Sequence, residues 1–471
     1  MKNDDIFFIS ACEITEVIRR QEISALEITE RFIERIEKIN PIINAYCTLT
    51  FDIAKEQAKK ADKVIKKGGK IGLLNGIPTS IKDIMPIKGV RTTYGSKLYE
   101  NNVSEENHVA VQRLIDAGCV ILGKTNIPEF GHKAVTENLI FGETRNPWNL
   151  ERTSGGSSGG AAAAVVSGLS PLAIGTDGGG SIRIPSSLCG CYGFKPTYGR
   201  IPHYPSNTMG FESLSHLGPI TRYVEDAALM FDVLKGYHPK DYHSLPDQDI
   251  SYITEINKIP KKLKIGYSIK MGFVKAVDPE VEQNVVNAVQ KFEKFNWSVE
   301  QVKIKLRNPE NAYIALYGSG LAYDYKNKIN KWRDIITPTL VKTIEGGLKY
   351  KATDLESATL TRKKLFVIFS EYFKEYDILI TPTSGVPAFN LGIMFPNRIA
   401  NKPASPLTWL SYTYPFNMTR IPAASIPCGW TKDGLPIGMQ IVGRKYDELT
   451  VFQVSKAFQD IAPWQNKKPN F

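Results

Sequence analysis

Cysteine and histidine are scarce: six of each are scattered through 471 residues. Cys189 and Cys191 form a C-x-C, but no second Cys or His pair completes a zinc spacing, so no metal site is expected. Together with Cys12, Cys47, Cys119 and Cys428 they read as reduced packing residues, not as a disulfide framework. Long apolar runs are missing too. The most apolar stretch, Ala161 to Gly175, is broken by Ser167, Gly168, Ser170 and Pro171 and falls short of the roughly 20 residues a membrane span requires. The opening text MKNDDIFFISACEITEV lacks the basic start and apolar core of a secretory signal. A soluble, cytoplasmic protein is expected, with no membrane partner. There is also no basic tail and no arginine-rich helix. The net charge of +11 comes from lysines dispersed among acids, as in KIPKKLKIGYSIKMG, which argues against a nucleic-acid partner.

What is present is an ordinary globular composition, 42% hydrophobic and 23% charged, without internal repeat or long linker. SACEITEVIRRQ and SALEITERFIERIEKIN carry apolar residues at three-to-four spacing behind a capping serine, which predicts two amphipathic helices, the second ended by Asn40-Pro41. A lysine-rich helix follows to about residue 67. GIPTSIKDIM, CVILGK, SPLAIGTD and YDILITPT read as strands, and HVAVQRLIDAG, AAAAVVSG and RYVEDAALMFDVLKG as helices between them. Two apolar runs joined across Asp433-Gly434 predict a hairpin, and ELTVFQVSKAFQ a last helix. This alternation predicts an α/β fold around a mixed, twisted sheet covered by helices on both faces. Four stretches make up a single unit, 1–471: a helical start over 8–67, a core over 70–235, a mostly helical region over 240–375, and a strand, hairpin and helix over 376–471.

Two short motifs match on paper only. Gly118, Gly123, Lys124 and Thr125 satisfy the phosphate-loop pattern, which would suit a nucleotide-binding protein. The intervening Cys-Val-Ile-Leu belongs inside a sheet, however, not in a flexible loop. Gly155, Ser157 and Gly159 satisfy the nucleophile-elbow pattern, but the preceding NPWNLERTS is no buried strand. Of the histidines downstream, His216 is the least implausible partner for a Ser-His-Asp site.

A third pattern is a constellation. A strand ends at Ile81-Lys82-Asp83, then comes SGGSSGG (154–160), then GTDGGGSIRIP, where Ser181 follows three glycines. Three glycines before a hydroxyl suggest a backbone turned so that several N–H groups converge, the geometry of an oxyanion hole. Neither glycine segment is a linker, since dense apolar text follows each at once.

GIPTSIKD, RTSGGSSGGAAAAVVSG and GTDGGGSIRIPSSLCGCYGFKPTYGRI together resemble the amidase signature family. The likeness extends to VILGKTNIPEFG, GPITRYVEDAALMFDVL and PCGWTKDGLPIGMQIVG and is thin only between about 240 and 375. It implies the amidase signature fold, a single amidase domain and a Ser–cis-Ser–Lys triad. Ser181 matches the nucleophile, Ser157 the bridging serine and Lys82 the base. The backbone N–H groups of Gly178, Gly179, Gly180 and Ser181 match the oxyanion hole. No metal or cofactor is implied, and a homodimer is.

The chemistry requires these residue types. A serine is a weak nucleophile until a neighbour takes its proton, and a lysine takes it only when neutral. Its ordinary pKa of about 10.4 must therefore fall by several units, which burial at a strand end promotes. Each assignment has a rival. Lys82 could be a surface lysine paired with Asp83. Ser158 could relay in place of Ser157, or serve as a supporting hydrogen bonder or helix cap. Asp177 and Arg183 are expected to pair with each other and hold the oxyanion loop.

Two functions then compete. One is a free-standing amidase acting on a small-molecule amide. The other is the glutamine-hydrolysing component of a tRNA-dependent amidotransferase, its A subunit. Where such subunits carry an acidic residue for the glutamine amino group, this chain has Leu410, and Arg420 replaces a glycine usual in the family. The apolar PLTWLSYTYPF suggests an aromatic or aliphatic acyl group, and the region 240–375 is expected to shape its pocket.

Overall fold

In the computed structural model, residues 5–69, 71–206 and 212–471 are described. Their backbone is organised by eleven strands: β1 (Tyr46–Leu49), β2 (Pro78–Lys82), β3 (Val120–Thr125), β4 (Leu172–Asp177), β5 (Tyr192–Lys195), β6 (His216–Thr221), β7 (Lys264–Tyr267), β8 (Ser298–Gln301), β9 (Ile378–Pro382), β10 (Ala423–Trp430) and β11 (Pro436–Gly443). They form one sheet in the order β1-β3-β2-β4-β6-β5-β10-β11-β9-β7-β8. The sheet is mixed. β2 runs parallel to β3 and β4, and β7 parallel to β8 and β9, while the other neighbours are antiparallel.

Helices cover both faces, as the side-chain alternation of β4 shows. Ala173 packs with Ala161, Ala162 and Val165 of the helix Gly159–Val166. Its neighbours Leu172 and Ile174 point the other way, into the large core shared with Ile14, Phe32 and Phe231. The two N-terminal helices, Ala11–Arg19 and Ala25–Ile43, begin at Ser10 and Ser24, whose hydroxyls accept the N–H of Glu13 and Glu27. Asn40-Pro41 does not end the second helix. It runs on to Ile43, which is fully buried, and stops at Asn44 in a left-handed conformation, φ 52°. The Asn40 side chain is occupied beyond it, accepting from the N–H of Ala45 and Tyr46.

Two features depart from the sequence reading. The region 240–375 is largely helical, yet it adds β7 and β8 to one sheet edge. β5 and β6 occupy the middle of the sheet in segments too rich in Gly and Pro to signal strands. Gly118–Thr125, as the sequence indicates, is a helix end followed by β3, with Gly118 at φ 90°, and not a phosphate loop.

The helix Gly159–Val166 is wholly buried. A Cβ on Gly160 would sit 2.5 Å from the Asn126 nitrogen and 2.6 Å from the Ala45 oxygen, so only glycine lets this helix approach the chain beyond β1 and β3.

Candidate active site

Strand ends, not loops of free choice, bring the reactive side chains together. β2 and β4 are parallel neighbours, so Lys82 and Thr176 emerge at the same sheet edge. Lys82 is fully buried. Its Nζ donates to Ser157 Oγ at 2.7 Å and to Thr176 Oγ1 at 2.8 Å, and lies 3.3 Å from the Thr176 carbonyl. Among the described residues no carboxylate lies within salt-bridge distance of it. Burial pushes its pKa down to about 7, with the Asp177 charge opposing. The rival pairing with Asp83 does not form: Asp83 lies 3.0 Å from Lys124 and accepts from Thr93, all of it buried. That ion pair also takes Lys124 out of contention for phosphate.

SGGSSGG lies between a short two-stranded ladder, Arg145–Asn146 with Asn149–Thr153, and the buried helix. The elbow pattern is thus not fed by a strand of the main sheet. The peptide bond Gly156–Ser157 is cis, and the Ser157 hydroxyl faces Lys82. Ser158 points elsewhere. It occupies the helix N-cap, but its Oγ is directed at the Thr176 carbonyl (3.3 Å) and makes no cap bond, while its N–H donates to the Ser181 carbonyl at 3.2 Å.

Ser181 follows β4 on the glycine turn, half-buried at the meeting of two cavities. The turn is tied down through its carbonyls. Thr413 Oγ1 donates to the Gly179 oxygen at 2.6 Å and the Tyr313 hydroxyl to the Gly178 oxygen at 3.4 Å. The N–H groups of Gly178, Gly179 and Ser181 have no acceptor among the described residues. Gly180 requires a correction. Its N–H donates to Asp177 Oδ1 at 2.7 Å and is not free to meet an oxyanion. What Gly180 supplies is shape: its φ is 132°, and a Cβ there would meet Ile184 Cδ1 at 2.4 Å and Thr413 Oγ1 at 2.5 Å.

Asp177 and Arg183 do pair, by two parallel bonds of 2.9 Å, with both side chains fully buried. Burial alone would raise the Asp177 pKa, but Arg183 and the Asn417 amide hold it well below the usual carboxylate range. The same carboxylate accepts the N–H of Ile182 at 3.1 Å. Arg183 reaches on to Asn417 Oδ1 (2.6 Å), Gln440 Oε1 (2.5 Å) and the Thr413 carbonyl (3.0 Å). Sequence reasoning missed Thr176, Asn417 and Gln440. The latter two sit in the text YPFNMT and IGMQIVG, where a buried amide amid apolar residues was the available signal. His216 is no general base here. Its Nδ1 meets the Leu214 carbonyl at 2.7 Å, it bonds neither serine, and it lines neither cavity.

The larger cavity, about 360 Å³, is mostly apolar, with Lys133 and Lys342 also in its lining. Tyr313 and Tyr317 of the helix Glu310–Tyr325 line one wall and Thr343 and Gly346 of the helix Pro338–Gly347 another, with Trp409 and Leu410 closing it. The region 240–375 therefore shapes this pocket. Among the described residues no carboxylate lines it. Arg420 lies outside both cavities, its guanidinium 4.2 Å over the Tyr198 ring, at a φ of 62° that explains a glycine preference. The six cysteines are unpaired. Among the described residues no group of His, Cys, Asp and Glu could hold a metal, and no helix is long and apolar enough to cross a membrane.

Comparison with known proteins adds to this geometry. The Amidase family profile matches residues 27–452. The chain is 36% identical to the A subunit of a glutamyl-tRNA(Gln) amidotransferase from Sulfurihydrogenibium sp., over 97% of this chain and 98% of that one. It is 35% identical to an acylamidase from Rhodococcus erythropolis, over 100% and 98%. A crystal structure of a bacterial aryl acylamidase of the amidase signature enzymes superposes with a TM-score of 0.91 at 30% identity, covering 98% of each chain. The chain belongs to the amidase signature family, and the acylamidases among these relatives are hydrolases of amide C–N bonds.

Proposed function

We propose that the protein is a free-standing amidase that cleaves a carboxylic acid amide through an acyl-enzyme on Ser181, with Ser157 as proton relay and Lys82 as base. One observation carries the reading: a buried lysine, its pKa about 7, 2.7 Å from the hydroxyl of Ser157 and with no carboxylate partner among the described residues. Neutral Lys82 takes the Ser157 proton as Ser157 takes that of Ser181, whose Oγ adds to the substrate carbonyl. The N–H groups of Gly178, Gly179 and Ser181 receive the developing oxyanion. The C–N bond breaks as Ser157 returns a proton to the nitrogen, and water then attacks the acyl-enzyme by the same relay. Asp177 and Arg183 position the turn and touch no substrate.

The competing reading, the glutamine-hydrolysing component of a tRNA-dependent amidotransferase, draws on the 36% identity to one such protein. It is disfavoured by the pocket, where Leu410 and its neighbours offer no carboxylate for the ammonium of glutamine. The test is the purified chain alone with simple amides, without ATP or tRNA. Release of ammonia or amine is expected; a chain inert until partner subunits join it would overturn the proposal.

A further inference from the structure

Ser181 and Gly131 are the residues shared by the two cavities, which differ in size and chemistry. The smaller, about 40 Å³, contains Ser157, Thr176, Gly178 and His203. The larger, about 360 Å³, contains Gly179 and the Tyr313–Tyr317 wall but not Ser157. An amide has two sides, and cleavage distinguishes them. The nitrogen must meet the hydroxyl that protonates it, whereas the acyl group stays attached to Ser181 after the amine has gone. Of the two, the small cavity is the one that opens onto Ser157. It has about one ninth of the volume of the larger cavity.

Resting on the reading of Ser157 as relay, we propose that the leaving nitrogen occupies the small cavity beside Ser157 and His203 and the acyl group the large one, so that the substrates are primary carboxamides with a bulky apolar acyl group, releasing ammonia. His203 suits the small cavity. Burial and the nearby Lys82 hold its pKa down to about 4 against the pull of Asp241. The imidazole is therefore neutral and offers a donor and an acceptor to an NH2 group. On the acyl side, Tyr313 stacks between Tyr414 (4.9 Å) and Tyr317 (6.1 Å), a rigid aromatic wall leading away from the oxyanion turn. Thr339, Thr343 and Gly346 repeat at helical spacing along the facing helix. A Cβ on Gly346 meets nothing within 4 Å, so a side chain there grows into open space and sets how long an acyl group fits.

The experiment compares two substrate series: primary amides of lengthening alkyl or arylalkyl acids, and N-alkyl amides of one such acid. In the unaltered protein kcat/KM is expected to rise with acyl length, by about fourfold per buried methylene, and to fall on N-methylation and further on N-butylation. Gly346→Leu should lower the long-to-short acyl ratio and slow labelling of Ser181 by long-chain fluorophosphonates relative to short ones, a readout that needs no turnover. His203→Ala should raise the ratio of N-methyl to primary amide. A preference for short acyl groups with bulky amines, or a Gly346→Leu effect on the amine series instead of the acyl series, would overturn the assignment while leaving the amidase reading intact. Failure to cleave any amide alone would overturn the amidase reading, while the fluorophosphonate series on the parent and Gly346→Leu would still decide which cavity takes the chain.

Discussion

The Nζ of Lys82 and the Oγ of Ser157 lie 2.7 Å apart, and among the described residues no acidic side chain competes for the lysine. An ammonium so placed is driven to lose its proton: it is out of water, and its neighbours are hydroxyls and a carbonyl.

The first prediction is a pH profile. A lysine base works only when neutral, and burial holds the pKa of Lys82 at about 7. Below that pH the ammonium cannot accept a proton; above it the amine can. kcat/KM should therefore rise through about pH 7 and level off. Measured between about pH 5 and 9, two units either side of that pKa, a flat profile, or one unchanged in its limb by Lys82→Ala, would remove Lys82 from the role.

Stability should respond to the same group. Between about 7 and the ordinary 10.5 the unfolded chain keeps the proton that the folded chain has lost. Folding stability due to this group thus rises with pH across that window, and the full penalty is felt below it. Lys82→Met should raise the melting temperature over the parent most at about pH 6 and less at about pH 9. A gain that grows with pH would show the sign to be wrong.

Trapping separates the serines. A fluorophosphonate should attach to Ser181. Ser181→Ala should leave no adduct, and Ser157→Ala should slow both labelling and turnover by about a hundred- to ten-thousandfold, the range for a lost proton-transfer group. An adduct found on Ser157 in the intact protein would sink the assignment.

Asp177→Ala strands the Arg183 guanidinium, fully buried, without its counter-charge. Loss of about 3–5 kcal/mol of stability is expected, read by denaturant unfolding. A loss below about 1 kcal/mol, the scale of an exposed pair, would mean that the surroundings do not depend on the pair.

Gly160→Ala tests the tight approach of the buried helix. Its methyl would press on the Asn126 and Ala45 backbone at 2.5 and 2.6 Å, and overpacking of this kind costs about 1–3 kcal/mol. An alanine variant as stable as the parent would show that the backbone yields.

Lys82, Ser157 and Ser181 stand in local strings that draw the eye (a strand end, a glycine-flanked serine, a glycine turn), but their roles in the sequence reading came only from the family resemblance. Thr176 was hidden inside a strand that reads as mere core. Asn417 and Gln440 act on Arg183 from 234 and 257 residues away, a contact no local pattern carries. Gly180 shows the reverse error. Its glycine neighbours make three donors in a row look equivalent, but which N–H faces the pocket depends on where the Asp177 carboxylate sits. The strands β5 and β6 were missed because Gly193, Gly218 and Pro219 weaken strand signals that the central sheet overrides, and the pocket helices were read only as part of a helical region, without their lining residues, because Tyr313 and Gly346 belong to text without landmarks.

The alanine helix behind SGGSSGG has a consequence for how this protein can change. Every residue from Gly159 to Val166 is buried and none is larger than valine, so almost any substitution there adds volume where there is none to spare. The two pocket helices are the opposite case, since Gly346 has open space beside it and Thr343 lines a cavity. On the proposed reading, new substrates are therefore acquired along one wall by single substitutions, while the segment that carries Ser157 is shielded from drift by its own crowding.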